Sequence, residues 1–265
     1  MRITFLGTGS AMPTGERAQT GILLEGGDRP LLIDCGSGVL NNLARTDVGY
    51  EGVSTVLLTH HHLDHVSDLL ALLKARWLAG EDHLEVVGPR GTEDLVEGLL
   101  GVHDYLQGRV DPSIREVEPT DGGDVDREAF EVAGYEVRAL ETRHSMYCLA
   151  YRLSIPGERE PDRDPPAFAF SGDTEAFEEL VEFADGSAVL AHDCSFPDGV
   201  DVDNHPTPSE LGRVLAGADA ELGRVYLTHC YPHTEGRHDG MLASIAEHYD
   251  GDVRFAADVR SLTVE

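Results

Sequence analysis

The length and composition of the chain exclude several classes of protein. Its 265 residues are 41% hydrophobic, which is enough to build a sizeable core in one large domain or two small ones. No apolar run approaches the roughly 18–20 residues that span a bilayer. Glycine interrupts the amino terminus at Gly7, too early for a secretory signal. We therefore expect a cytoplasmic protein with no membrane segment.

The chain is strongly acidic along its whole length. It has 49 acidic and 20 basic residues, which give a formal net charge of −29. This charge disfavours a nucleic-acid partner in ordinary salt, since phosphates need cations to displace their counterions. Self-repulsion destabilises such a fold at low ionic strength, whereas molar salt shortens the Debye length to about 3 Å and screens it. We interpret the composition as that of a halophile's protein, with a solvated acidic surface.

The four cysteines show no pattern of a metal knot or a disulfide framework. They form no C-x-x-C pair, and a cytosolic setting disfavours disulfides. We expect four reduced, partly buried thiols at Cys35, Cys148, Cys194 and Cys230.

Strand patterns occur along the whole chain and alternate with helical patterns in its second half. Short apolar and β-branched runs predict strands at residues 2–6, 20–24, 30–33, 53–59, 83–87, 131–140, 148–155, 168–170, 188–192, 224–227 and 253–256. Helical spacing predicts helices from Gly38 towards Leu43 and at 67–78, 91–100, 175–182, 209–215 and 240–249. Residues 156–166 predict a charged, proline-rich loop. The apolar helix at 67–78 either joins the core or forms a homodimer interface, and both alternatives stay open.

The order of these elements predicts the fold class. The chain has no repeat of fixed period and no linker that divides it. Its first half is richer in paired strands and its second half in strand–helix units. We predict one α/β domain over residues 1–265, built as two packed sheets with helices outside, a four-layer αβ/βα sandwich.

A histidine cluster follows the predicted strand at 53–59 and carries the strongest chemical signal. Its sequence is His60-His61-His62-Leu63-Asp64-His65. His60 and His62 share a face because alternate residues of extended chain do so, while Asp64 and His65 turn towards a neighbouring position. Imidazole and carboxylate suit a borderline metal such as zinc. A surface histidine run is the alternative, which the adjacent buried strand and the aspartate disfavour.

This cluster resembles the H-x-H-x-D-H hallmark of the metallo-β-lactamase superfamily, matched without gaps by His60, His62, Asp64 and His65. The resemblance implies the αβ/βα fold and further ligands after later strands, which His144, Asp173 and His229 match in order. It implies one metal on His60, His62 and His144, a second on Asp64, His65 and His229, and Asp173 as the bridge. It leaves His61 as a non-ligand.

The resemblance also implies a mechanism and its cofactors. Two divalent ions, zinc in the first place with manganese or iron as alternatives, would share a hydroxide that acts as the nucleophile. Asp64 counts among the catalytic residues as well as the ligands. Asp34, at a predicted strand end, would hold a ligating histidine in the correct tautomer, although a simple turn aspartate is the alternative.

Four further elements resemble the ribonuclease Z branch of the superfamily. They are the opening Ile3-Thr4-Phe5-Leu6-Gly7-Thr8-Gly9-Ser10, the H-E-A-T counterpart His192-Asp193-Cys194-Ser195, the H-S-T counterpart His205-Pro206-Thr207, and the late Leu227-Thr228-His229-Cys230-Tyr231-Pro232-His233. The resemblance implies His205 as general acid for the leaving group and Asp193 as its partner. The alternative is that His205 caps the helix that begins near Ser209.

The chain departs from that branch in ways that bear on its substrate. Aspartate replaces glutamate at Asp193, and the late element lacks the arginine–tyrosine pair. Between His144 and Asp173, where the family usually carries a tRNA-gripping arm, only the acidic loop at 156–166 is present. We therefore expect tRNA to be excluded and a small-molecule or nucleotide phosphodiester to be hydrolysed. A ribonuclease Z-like RNA endonuclease, a lactonase or thioesterase, and a low-turnover metal-binding regulatory protein remain as alternatives.

Overall fold

Two seven-stranded sheets form the centre of the computed structural model, which describes residues 1–120, 129–157, 166–200 and 202–264. The strands are, in chain order, β1 (Arg2–Gly7), β2 (Gly21–Glu25), β3 (Leu31–Ile33), β4 (Thr55–Leu57), β5 (His83–Pro89), β6 (Asp111–Val117), β7 (Phe130–Val132), β8 (Tyr135–Glu141), β9 (Leu149–Ser154), β10 (Ala167–Phe170), β11 (Ser187–Asp193), β12 (Arg224–Thr228), β13 (Asp252–Phe255) and β14 (Arg260–Thr263). The first sheet has the order β14-β1-β2-β3-β4-β5-β6, and the second has the order β13-β12-β11-β10-β9-β8-β7.

The helices cover the outer faces of both sheets. They are α1 (Val39–Leu43), α2 (Leu63–Val66), α3 (Leu69–Ala79), α4 (Thr92–Val102), α5 (Glu178–Phe183), α6 (Pro208–Gly217) and α7 (His238–Ala246), with short 3₁₀ turns at Asp104–Leu106 and Pro232–Thr234. Within the described part of the chain, no helix is long and apolar enough to cross a membrane.

Three large buried clusters, and a smaller fourth one between β8, β9 and α5, fill the space between the layers. The largest lies between the sheets and contains the inward side chains of both, among them Phe5, Tyr151, Phe168 and Tyr226. A second cluster joins the outer face of the first sheet to α1, α3 and α4, and a third joins the second sheet to α6 and α7. Central strands such as β3, with sequence Leu-Leu-Ile, are buried on both faces, which explains their continuous apolar runs. The predicted αβ/βα sandwich is confirmed.

Both sheets are mixed in the same way, and this arrangement positions the site. Strands β3 to β6 run parallel in the first sheet, and β10 to β13 run parallel in the second. Parallel strands bring their carboxyl ends to one edge, where α/β proteins place their ligands. Backbone hydrogen bonds join the two sheets at this edge, from Leu149 N–H to Thr59 O at 3.0 Å and from Cys230 N–H to Thr8 O at 2.9 Å.

Several element predictions need correction. The single strand predicted at 131–140 is a hairpin, because Ala133 and Gly134 turn the chain with φ of 52° and 83°. Strands β6 and β14 were not predicted. The helix predicted at 67–78 begins at Leu69 and packs in the core through Leu69, Leu72 and Leu73, although Leu78 is exposed. All four cysteines are free and buried. Of the predicted loop at 156–166, residues 158–165 lie outside the described part of the chain.

Candidate metal centre

Two groups of potential metal ligands meet at the shared edge of the sheets. The first contains His60, His62, His144 and Asp173, whose ligand atoms lie within 4.8 Å of one another. The Nδ1 atom of His62 lies 3.1 Å from Nε2 of both His60 and His144. Asp173 Oδ2 lies 3.7 Å from His60 Nε2 and 3.9 Å from His144 Nε2. The four groups therefore point at one small volume.

The second group shares Asp173 with the first. Its other members are Asp64, His65 and His229, and all four residues are buried. His229 Nε2 lies 3.1 Å from Asp64 Oδ2 and 3.3 Å from Asp173 Oδ2. His65 Nε2 lies 3.7 Å from Asp64 Oδ2 and 3.3 Å from Asp173 Oδ1. All seven residues that the sequence singled out as ligands thus converge, with Asp173 between the two groups.

Local backbone geometry aims these side chains. The early histidines and Asp64 lie in the turn after β4 and in α2, while Asp173 follows β10 and His229 follows β12. His229 itself adopts a left-handed conformation with φ of 58°, and so does Gly172 just before Asp173. A non-glycine residue in this region costs about 1–3 kcal/mol and is found mainly at functional sites.

Hydrogen bonds behind the centre fix two histidine tautomers. His65 Nδ1 donates to Asp34 Oδ2 at 2.7 Å, in a fully buried contact. The same carboxylate accepts hydrogen bonds from the backbone N–H and the hydroxyl of Thr59, both at 2.8 Å. His60 Nδ1 donates in turn to the Thr59 hydroxyl at 3.1 Å. Each imidazole therefore presents an Nε2 lone pair to the centre, as a metal ligand must.

Two buried atoms show that the centre suits a cation. His65 Nε2 and Asp173 Oδ1 are both buried without a hydrogen-bond partner among the described residues, although they lie 3.3 Å apart. Buried polar atoms are nearly always hydrogen-bonded, so such orphans call for another partner. A set of imidazole and carboxylate groups is the donor set of zinc and related divalent ions. The residues present therefore fit a divalent metal pair.

The electrostatics of the first group leave its histidines neutral. Burial, reinforced by the neighbouring His65, holds the pKa of His60 well below its usual value. Burial also lowers the pKa values of His62 and His144. The pKa of Asp173 is lowered well below its usual value because His229 and His65 outweigh the effect of burial. Neutral imidazoles around an ionised carboxylate are the protonation states that bind metals.

His205 and Asp193 form a pair beside the second group. His205 Nδ1 donates to Asp193 Oδ2 at 2.7 Å, and the carboxylate is fully buried. Burial opposes the charged imidazolium, but Asp193 outweighs it and raises the pKa of His205 to about 9. Helix α6 is capped instead by Thr207, whose N–H and hydroxyl donate to Glu210. The alternative assignment of His205 as a helix cap is therefore wrong.

Three further residues, His61, Asn204 and Ser195, make contacts at or beside the centre, and only His61 was considered in the prediction. His61, excluded as a ligand by its position in the motif, contacts Thr92 with its Nε2 at 2.9 Å. Asn204, with φ of 70°, places its carbonyl 3.4 Å from His144 Nδ1. Ser195 lies between His229 and Asp193, and no role was predicted for it. Its place in the H-E-A-T counterpart, two residues after Asp193, was the only signal available.

The fold and this centre define a metal-dependent hydrolase of the metallo-β-lactamase superfamily. The family model described as "Anti-Pycsar protein Apyc1" matches residues 1–235. The chain belongs to this family, within the ribonuclease Z-like branch of the superfamily.

Proteins with similar sequences and structures match the chain over nearly its full length. Ribonuclease Z of Mycobacterium avium is 30% identical, and the match covers 100% of this chain and 99% of that protein. Ribonuclease Z of Haloferax volcanii is also 30% identical, with coverage of 100% and 95%. The metallo-β-lactamase fold protein YhfI of Bacillus subtilis superposes with a TM-score of 0.79 at 23% identity, covering 99% of each chain. Because the Mycobacterium avium and Haloferax volcanii relatives are named ribonuclease Z, the comparisons do not support the expectation that tRNA is excluded as a substrate.

Proposed function

We propose that this protein is a dinuclear phosphodiesterase that hydrolyses small or flexible phosphodiesters, nucleotides included. The observation that carries the proposal is the pair of ligand groups joined at Asp173, with the His205–Asp193 pair beside them. In this proposal, the paired ligand groups serve the attack of water on the phosphodiester, and His205 protonates the leaving group.

The chain's own residues divide the work in this proposal. His60, His62 and His144 would hold one divalent ion and Asp64, His65 and His229 the other, with Asp173 available to both groups. Divalent ions at this site, which we propose to be zinc, would supply a nucleophile from water at neutral pH and would offset the charge that develops on the phosphoryl oxygens. His205 gives its Nε2 proton to the leaving oxygen, while Asp193 keeps the imidazole oriented and protonated.

The surroundings of His205 favour a small leaving group. A cavity of about 430 Å³ lies beside it, lined also by Glu175, Asp203, Glu210 and Arg213. Its volume is in the range of small-molecule pockets. Its three carboxylates outnumber the Arg213 guanidinium and the His205 imidazolium, and this excess of negative charge disfavours a second phosphate in the cavity. The net charge of −29 disfavours polyanionic substrates in general.

The direct test is turnover of bis(p-nitrophenyl) phosphate, linear dinucleotides and cyclic mononucleotides by metal-loaded protein. We expect turnover to disappear on chelation and to fall by at least about 100-fold in His62→Ala and Asp173→Ala, because each removes a proposed ligand. His61→Ala is the matched control from the same cluster, and it should keep its activity. Undiminished turnover in either ligand variant would contradict the proposal. Carboxylic esters and thioesters in the same panel test the lactonase and thioesterase alternatives.

A second candidate is an RNA endonuclease, favoured by the full-length match to proteins named ribonuclease Z. It predicts cleavage of a 3′-extended tRNA in molar KCl, where the acidic surface is screened. If tRNA is cleaved with a higher kcat/KM than every small phosphodiester, the second candidate replaces the first.

A further inference from the structure

Ser195 lies where the proposed metal centre and the proposed acid meet. It is fully buried, two residues after the end of β11 and beside the turn that carries His229. Its Oγ atom is 2.9 Å from His229 Nδ1 and 2.6 Å from Asp193 Oδ1. The other oxygen of that carboxylate receives His205 Nδ1 at 2.7 Å. A single hydroxyl thus links a ligand-group histidine to the aspartate that orients His205.

The direction of each hydrogen bond follows from the chemistry of the groups. An ionised carboxylate only accepts, so the single Ser195 proton goes to Asp193 Oδ1, the shortest of its contacts. The carbonyl of His229, at 3.0 Å, is a neutral and longer competitor. With its proton committed, the Ser195 oxygen accepts from His229 Nδ1. The Nε2 atom of His229 then carries the lone pair, and it is this atom that faces Asp64 and Asp173.

Asp193 cannot do this without the serine. Its Oδ1 lies 3.9 Å from His229 Nδ1, beyond hydrogen-bond distance. Asp34 binds its own histidine, His65, directly at 2.7 Å. His229 is therefore joined to its carboxylate through the hydroxyl of Ser195, whereas His65 contacts its carboxylate directly.

We propose that Ser195 is a positioning residue that fixes the tautomer and orientation of His229 through Asp193 and so ties metal binding to the placement of His205. This inference rests on the proposed metal centre. If the inference is correct, loss of the hydroxyl weakens the binding of only one of the two ions. The hydrogen bonds of Ser195 go to Asp193, His205 and His229, none of which belongs to the first ligand group. Residues that hydrogen-bond to a ligating side chain and orient it contribute about 10–100-fold to metal affinity.

The test compares Ser195→Thr with Ser195→Val, two side chains of nearly equal shape of which only threonine keeps the hydroxyl. Each full-length variant is stripped of metal and titrated with Zn²⁺ by equilibrium dialysis and elemental analysis, and with Co²⁺ by absorption spectroscopy. We expect Ser195→Val and Ser195→Ala to bind one of two ions about 10–100-fold more weakly, with Ser195→Thr close to the wild type. Ser187→Ala is the control, since Ser187 is a buried serine whose hydroxyl has no partner among the described residues.

The outcomes separate this inference from the proposed function. If the wild type binds two ions and the valine and threonine variants bind both ions with the same affinities as each other, the proposed role of Ser195 is overturned and the metal centre stands. Equal weakening of both ions, or equal weakening by Ser187→Ala, also overturns it, because either result would indicate a general packing effect. If the wild type binds no divalent ion, the metal centre fails and the inference fails with it.

Discussion

His205 donates its Nδ1 proton to a buried carboxylate, and its proposed role can be tested with substrates of different leaving groups. An alkoxide must be protonated as it departs, whereas p-nitrophenolate leaves as a stable anion. We expect His205→Asn to lower kcat/KM for a dinucleotide by about 10²–10⁴-fold and to change it little for bis(p-nitrophenyl) phosphate. Equal losses on both substrates would indicate that His205 acts on the centre as a whole rather than as an acid.

The pH dependence of the same substrates tests the contact between His205 and Asp193. The carboxylate raises the pKa of His205 to about 9, so the acid is protonated below that pH and is lost as the pH rises through it. We expect the alkaline limb of kcat for the dinucleotide to move to lower pH in Asp193→Asn, because the variant removes the charge that stabilises the imidazolium. The pH–rate profile of bis(p-nitrophenyl) phosphate is the control. An alkaline limb that stays in place would contradict the assignment.

The convergence of the seven proposed ligand residues could be predicted from the sequence, whereas the hydrogen bonds that Ser195 makes beside them could not. Four of the seven residues lie in one six-residue motif, so their proximity is local and needs no knowledge of the fold. His144, Asp173 and His229 could be placed because each follows a strand in the expected order. The role of Ser195 could not be predicted, because it depends on the approach of two turns 34 residues apart.

At the scale of elements, the turn after β3 packs against α2, the short helix that carries Asp64. A Cβ atom added at Gly36 would lie 2.0 Å from the Asp64 carbonyl oxygen, which is a severe overlap with backbone. We expect Gly36→Ala to cost about 1–3 kcal/mol of unfolding free energy, as overpacking does, and to weaken metal binding by displacing Asp64. Gly15→Ala is the control, since nothing lies within 4 Å of an added Cβ there.

Denaturant unfolding and a Zn²⁺ titration of both glycine variants measure these effects. Normal stability and metal affinity in Gly36→Ala would show that the turn and the helix can separate without consequence, contrary to the close packing seen here.

The strands that escaped prediction share a physical cause. In β6 only Val117 is buried, and most of the other side chains are exposed, since this strand forms the edge of the first sheet. Strand β14 is likewise an edge strand with no buried residue. These two strands bury too little surface to leave an apolar pattern, although β13, also an edge strand with no buried residue, was predicted at 253–256. All the internal strands overlap predicted strand runs, although β8, whose side chains alternate between buried and exposed, was merged with β7.

At the scale of the whole molecule, the net charge of −29 dominates the expected stability. We propose that residues 1–265 fold as one domain adapted to high salt. We expect one cooperative thermal transition whose midpoint rises substantially between low salt and molar KCl, because screening removes the repulsion among surface carboxylates. Calorimetry in both buffers measures this. Equal midpoints would contradict the halophilic interpretation, and two separate transitions would contradict the single domain.

The centre draws its residues from both sheets, and this fixes the order in which it can be assembled. The segment after β4 delivers four of the seven residues early in synthesis, but Asp173 and His229 arrive only with β10 and β12. A chain emerging from the ribosome therefore has no complete coordination shell until its second layer has docked on the first. In the proposed dinuclear centre, both ions could be held only after the two layers have docked, so a stably bound pair would indicate that both halves of the protein have folded and joined.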